Sequence, residues 1–148
     1  MHPEAAHIKC ERCPGDNYPG NCPYHGACIE GMSCAKAISD RLGISPDQLG
    51  TIPDDNPVWN IEAYYIAQLC CAVIYLTSVK RIIIGGGITK RNGIFEHIRK
   101  HVLQILNNYL NLPMILEHID EYIVPSKLGD IIGLQSGFDI AQKLLQQN

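Results

Sequence analysis

Apolar positions along the chain fall into two patterns, a helix-face spacing in the longer segments and short runs that are apolar throughout. Residues 31–42 (GMSCAKAISDRL) follow the helical spacing and stop at Gly43, a suitable C-cap, so a helix is predicted there with Glu30 near its start. Residues 60–79 (NIEAYYIAQLCCAVIYLTSV) are apolar almost all round, which predicts a buried central helix with Asn60 as N-cap and Glu62 in its first turn. Tyr64, Tyr65 and Tyr75 then read as core aromatics. Residues 81–84 predict a buried strand that runs into Gly85, Gly86 and Gly87. An amphipathic helix over 93–110 follows, with Ile94, Ile98, Val102, Ile105 and Leu106 on one face. Residues 114–119 (MILEHI) predict a second strand and 121–130 (EYIVPSKLGD) a connection. A last helix over 131–145 is expected to bury Ile132, Leu134, Phe138, Ile140, Ala141, Leu144 and Leu145. Strand, helix, strand, helix is an α/β pattern.

Residues 44–58, rich in Pro, Asp and Gly, read as a surface loop within one body, and 148 residues suit one domain. A net charge of -3 gives no electrostatic footprint for nucleic acid. The pairs Lys80–Arg81, Lys90–Arg91 and Arg99–Lys100 are short and read as solvated element ends. No apolar run approaches the roughly 20 residues that span a bilayer, and no signal-peptide pattern opens the chain. Seven cysteines, an odd number, with Cys70–Cys71 inside an apolar helix, suit a reducing compartment. A soluble, cytoplasmic protein that engages no membrane is expected.

The first thirty residues carry the chemistry. Cys22, His25 and Cys28 form C-x2-H-x2-C in CPYHGAC, and His7 lies one loop upstream. Such donors suit a closed, tetrahedral, structural zinc site, with Pro23 and Gly26 bending the backbone between them. A second arrangement would join the Cys10/Cys13 C-x2-C pair to Cys22 and Cys28 as four thiolates. A third leaves the thiols unliganded or paired as disulfides. The glycine turn after the 81–84 strand lets backbone N–H groups approach a phosphate, yet it lacks the G-x-G-x-x-G and G-x-x-x-x-G-K-[ST] spacings, and a packing turn explains it as well. His97 and His101 are four apart on a helix, but no third ligand stands near them, so they read as surface histidines.

Taken in order, HPEAAH, CPYHGACIEG, a Trp-led helix containing AYYIAQ, RIIIGGGI and PSKLGDIIGLQSGFDIA resemble the C-terminal half of bacterial fructokinases of the ROK family of sugar kinases. The resemblance implies the C-terminal lobe of an actin/hexokinase-like ATPase fold with a zinc-stabilised loop. Residues 1–30 would form the zinc and sugar-binding loop and 31–148 the α/β lobe. It implies zinc ligands at His7, Cys22, His25 and Cys28, with Cys10 and Cys13 as bystanders. It places Glu4 and Glu30 on the sugar hydroxyls, helped by His7, and Gly85, Gly86 and Gly87 beside ATP. Family members transfer the γ-phosphoryl of Mg-ATP to a sugar, here most simply D-fructose, to give fructose 6-phosphate.

The family's catalytic aspartate, first phosphate-binding turn and N-terminal lobe have no counterpart at the corresponding motifs of this sequence. The resemblance therefore implies that the strand at 81–84 lacks neighbours, to be supplied by a second polypeptide or by self-association. A sugar kinase half, active once completed, is one expectation; a non-catalytic zinc-binding remnant or sugar-binding interaction module is the other. A repressor of the same family would need a helix-turn-helix that these residues do not contain.

Overall fold

A computed structural model describes residues 3–146; residues 1, 2, 147 and 148, though part of the expected domain, lie outside the described residues. The core is the contact of two helices. α3 (Val58–Thr77) buries Val58, Trp59, Ala63, Ala67, Cys70, Cys71 and Ile74. α4 (Ile94–Leu106) meets it with Ile94, Ile98, Val102 and Leu106, a strict four-residue spacing that makes one stripe along the helix.

The central helix starts two residues earlier than its sequence suggests. Asn56 Oδ1 accepts the Val58 N–H at 2.9 Å and Pro57 precedes the first turn, so the capping role falls to Asn56. Asn60 Oδ1 instead lies 2.9 Å from His101 Nε2 on α4. Tyr65 is fully buried as expected of a core aromatic, whereas Tyr75 is half exposed at the far end of the helix.

Ahead of it, residues 31–42 form two helices rather than one: α1 (Ile29–Met32) and α2 (Ala35–Leu42). The chain breaks at Ser33, whose backbone leaves the helical region (φ -129°, ψ 78°) and whose hydroxyl turns inward to Glu62 at 2.8 Å. α2 ends at Gly43, which takes the left-handed conformation a C-cap requires. The 44–58 loop holds one 3-10 turn, Pro46–Thr51.

The sheet has two parallel strands, β1 (Ile82–Ile84) and β2 (Ile123–Pro125), in register Ile82–Ile123, Ile83–Val124 and Ile84–Pro125. Two expectations are corrected here. Residues 114–119 are not a strand, because Pro113 opens the helical turn α5 (Pro113–Leu116), followed by α6 (Ile119–Tyr122). The second strand comes from IVP, within the stretch read as a connection. Nor is β1 buried on both faces: Ile82 and Ile84 pack inward, but Ile83 is 63% exposed.

α4 ends at Leu106, where Asn107 and Asn108 adopt positive φ, earlier than residue 110. α7 (Ile132–Gln146) forms as a helix but covers no core, and Leu134, Phe138, Ile140, Leu144 and Leu145 are largely exposed. The expected burial of its apolar stripe does not hold, because periodicity reports a face and says nothing of what lies opposite. Two of the basic pairs depart from their reading as solvated element ends, Arg99–Lys100 lying inside α4. Arg91 stacks on Trp59 and donates to the Leu49 and Ile52 carbonyls, and Arg99 donates to the Ile123 and Asp120 carbonyls.

Candidate metal centre

Residues 22–26 close a tight turn by mutual backbone bonds, Cys22 N–H to Gly26 O at 3.3 Å and Gly26 N–H to Cys22 O at 2.9 Å. Gly26 sits at φ 58°, open to glycine without strain. α1 lies directly on this turn: Asn21 N–H donates to Gly31 O at 3.0 Å, and a Cβ on Gly31 would stand 2.0 Å from Gly26 O. On the other side, Ile29 N–H donates to Ile8 O at 3.1 Å and Lys9 bridges to Cys28. The 3-10 turn Ala5–His7 then brings His7 over the loop.

These pairings collect His7, Cys22, His25 and Cys28 so that one donor atom of each lies within 4.8 Å of the others. His7 Nδ1 is 3.9 Å from Cys22 Sγ and 3.7 Å from Cys28 Sγ, and His25 Nδ1 is 3.7 Å from Cys22 Sγ. Zn–S bonds of about 2.3 Å and Zn–N bonds of about 2.0–2.1 Å imply S···N edges of about 3.6 Å in a tetrahedron. Two thiolates and two imidazoles at these separations fit zinc.

The environments of the two thiols differ. The His25 N–H, with the Tyr24 N–H, favours the Cys22 thiolate and draws its pKa down to about 6. Burial pushes the Cys28 thiol up, while the Gly31 N–H acts in the opposite direction. Cys28 is fully buried and His25 exposed, so the group spans the loop from core to surface.

The second nitrogen of His7 is engaged as well. His7 Nε2 lies 3.1 Å from Glu30 Oε2, the outer carboxylate contact that fixes the ring of many metal-bound histidines. Glu30 is in the first turn of α1, and Glu4 precedes the turn that carries His7, so the glutamates flank the group along both backbone segments. Cys10 and Cys13 are not brought into it. Cys10 Sγ donates to Ala27 O, and Cys13 packs with Met32 and Tyr65, burial raising both thiols. His101 is occupied by Gln104 and Asn60 and packs edge-on against Tyr64.

A second feature lies at the carboxyl ends of the two parallel strands, where open α/β sheets bind ligands. A cleft of about 200 Å³ is lined by Gly85, Gly86, Thr89, Lys90, Pro125, Ser126 and Gly129. Gly86 has φ 110°, and Gly87 caps the 3-10 turn Ile88–Lys90 instead of lining the cleft. The sequence pointed to the glycines but not to Thr89, four residues beyond Gly85, nor to Ser126 and Gly129, whose only signal was the PSKLGD turn. A larger cavity, about 790 Å³, opens at the other end of the strands among Tyr75, Lys80, Tyr109, Met114 and Tyr122, and nothing in the sequence pointed to it.

The architecture is thus an α/β lobe with a metal-ready N2S2 loop on one flank and a glycine-lined cleft at its strand ends. The chain belongs to the ROK family, whose model matches residues 1–144. It is 39% identical over 98% of its length to a Bacillus subtilis (strain 168) protein whose fructokinase name is provisional. It is 37% identical over 98% to the fructokinase of Pediococcus pentosaceus, and 30% identical over 95% to that of Zymomonas mobilis. Covering 48%, 48% and 45% of these proteins, the chain spans about half the length of the curated relatives it matches. Among the described residues no helix is long and apolar enough to cross a membrane.

Proposed function

We propose that this chain is the metal- and sugar-binding portion of an ATP-dependent hexose kinase, with D-fructose as the favoured substrate and fructose 6-phosphate as product. The observation that carries the reading is the flanking of the N2S2 group by Glu4 and Glu30, with Glu30 held against the ligand His7. Carboxylates accept hydrogen bonds from paired sugar hydroxyls, and a metal that locks both backbone segments keeps the two acceptors at a fixed separation. Family membership and the fructokinase names of the relatives favour fructose over other hexoses.

His7, Cys22, His25 and Cys28 would hold zinc, which supplies loop rigidity and no reacting group. The cleft at Gly85, Gly86, Thr89 and Ser126 would take the phosphates of Mg-ATP, its backbone N–H groups replacing water around the anion. Phosphoryl transfer depends on positioning and charge neutralisation, so the sugar hydroxyl, the nucleotide and an aspartate base must converge. That convergence belongs to the whole kinase, completed by a further polypeptide segment or a second copy around β1.

Calorimetric titration of the zinc-loaded chain with D-fructose, D-mannose and D-glucose tests the reading. Saturable fructose binding that Glu30→Gln abolishes is expected. No binding of any hexose at tens of millimolar would leave a zinc-binding module without a sugar site.

A further inference from the structure

Arg41, in the last turn of α2, lies between two carboxylates in the interior. Its Nε and Nη2 donate to Asp16 Oδ1 and Oδ2 at 3.2 and 2.8 Å, and its Nη1 donates to Glu62 Oε1 at 2.8 Å. The side chains of Arg41, Asp16 and Glu62 are only 7%, 4% and 0% exposed. Tyr65 OH completes the Asp16 shell by donating to Oδ2 at 2.6 Å.

Burying a guanidinium between two carboxyl groups is costly, and apolar residues of the same volume often stabilise a fold equally well, so stability alone is a weak reason for the cluster. Its remaining contacts supply a better one. Arg41 Nη1 also donates to the Met32 carbonyl at 2.8 Å, and Ser33 Oγ donates to Glu62 Oε2 at 2.8 Å. Met32 and Ser33 are the end of α1, the four-residue helix whose N-cap is Cys28 and whose first turn carries Glu30. A helix this short has no stability of its own, so what grips its two ends sets its orientation.

We propose that Arg41 and Glu62 are positioning residues of the sugar and metal site, clamping the far end of α1 so that Cys28 meets the metal and Glu30 meets His7 and the sugar. Asp16, on the loop between His7 and Cys22, joins the other side of that loop to the same guanidinium. The proposal rests on the reading of this loop as a zinc centre and of Glu30 as a hydroxyl acceptor.

Ser33→Ala, Arg41→Lys and Glu62→Gln are compared with wild type and with the surface variant Lys36→Ala, in the full chain. Zinc affinity is read by competition with a chromophoric chelator, fructose affinity by calorimetry, and folding by thermal melting. Ser33→Ala and Arg41→Lys are expected to bind zinc about tenfold more weakly, as supporting residues around metal sites do. A lysine ammonium cannot span the acceptors of the guanidinium fork, so it does not rescue. Glu62→Gln puts a weaker acceptor opposite Arg41 and is expected to weaken zinc binding less than Arg41→Lys does, whereas Lys36→Ala, on the surface outside the cluster, holds wild-type zinc and fructose affinities. Lowered melting temperatures with unchanged affinities in Ser33→Ala and Arg41→Lys would overturn the proposal and leave a purely structural cluster. If Arg41→Lys does not fold, Ser33→Ala decides by the same criterion. A wild-type chain that takes up no zinc overturns the metal reading and the proposal with it, and that result is visible before any variant is made.

Discussion

Nε2 of His7 lies 3.1 Å from Oε2 of Glu30, so the carboxylate proposed to accept sugar hydroxyls also touches a histidine of the N2S2 group. The two glutamates should therefore differ in what they lose. Glu30→Gln weakens the acceptor that orients His7 and is expected to lower zinc affinity about tenfold together with fructose binding. Glu4→Gln is expected to lower fructose binding and leave zinc unchanged. Chelator competition on the two variants separates them, and equal zinc affinities would remove Glu30 from the support of His7.

Gly31 gives a sharper structural test, because a methyl there would meet Gly26 O at 2.0 Å and Cys22 Cβ at 2.9 Å. Backbone atoms cannot step aside cheaply. Gly31→Ala should force α1 off the ligand turn, destabilising the chain by about 1–3 kcal/mol and reducing bound zinc well below one per chain. Metal content after gel filtration is the measurement; full zinc occupancy would show that the turn moves freely.

Glu62 sets a pH dependence. Burial, opposed by the Ser33 and Arg41 donors, raises its pKa from 4.5 to about 8, while Arg41 and Tyr65 hold Asp16 below the usual carboxylate range against its own burial. Folded chain thus binds a proton at Glu62 that unfolded chain has released between pH 4.5 and 8. The stabilisation is complete below the unfolded pKa and is lost as pH rises through 8. Melting temperature should fall by several degrees from about pH 5 to pH 8.5. Asp16 acts oppositely, its contribution being lost as pH falls below 4. Glu62→Gln should flatten the upper limb alone, and a variant as steep as wild type there would assign the slope elsewhere.

Thiol alkylation under native conditions should follow metal removal. With zinc bound, Cys22 and Cys28 are expected to resist a haloacetamide. After chelation Cys22 should react first, being partly exposed while Cys28 is fully buried. Cys70 and Cys71, pushed up to about 12 by burial between α3 and α4, should stay unmodified until the chain unfolds. Peptide mapping before and after chelator reads all four, and early labelling of Cys70 would place it outside a stable core.

What the sequence conveyed depended on how local the cause was. The C-x2-H-x2-C turn is held by bonds within five residues, and the α4 stripe repeats every four, so both could be read directly. The Asp16–Arg41–Glu62 cluster could not, because its partners are 25 and 21 residues apart, and Glu62 read simply as a first-turn acid. MILEHI has strand composition, yet Pro113 and the packing of Ile115 made it helical. β2 was missed because a three-residue strand ending in proline has no alternation to detect.

The apolar stripe of α7 and the open face of Ile83 have a calorimetric consequence. Unfolding raises the heat capacity in proportion to the apolar surface it newly wets. Leu134, Phe138, Ile140 and Leu145, each at least 60% exposed, are already wet in the folded chain. The increment per residue should accordingly fall below the usual ~12–15 cal/mol/K. A smaller increment flattens the stability curve, so the chain alone should change little in stability between a cold room and body temperature. Covering α7 would restore the curvature, and with it a defined temperature of greatest stability.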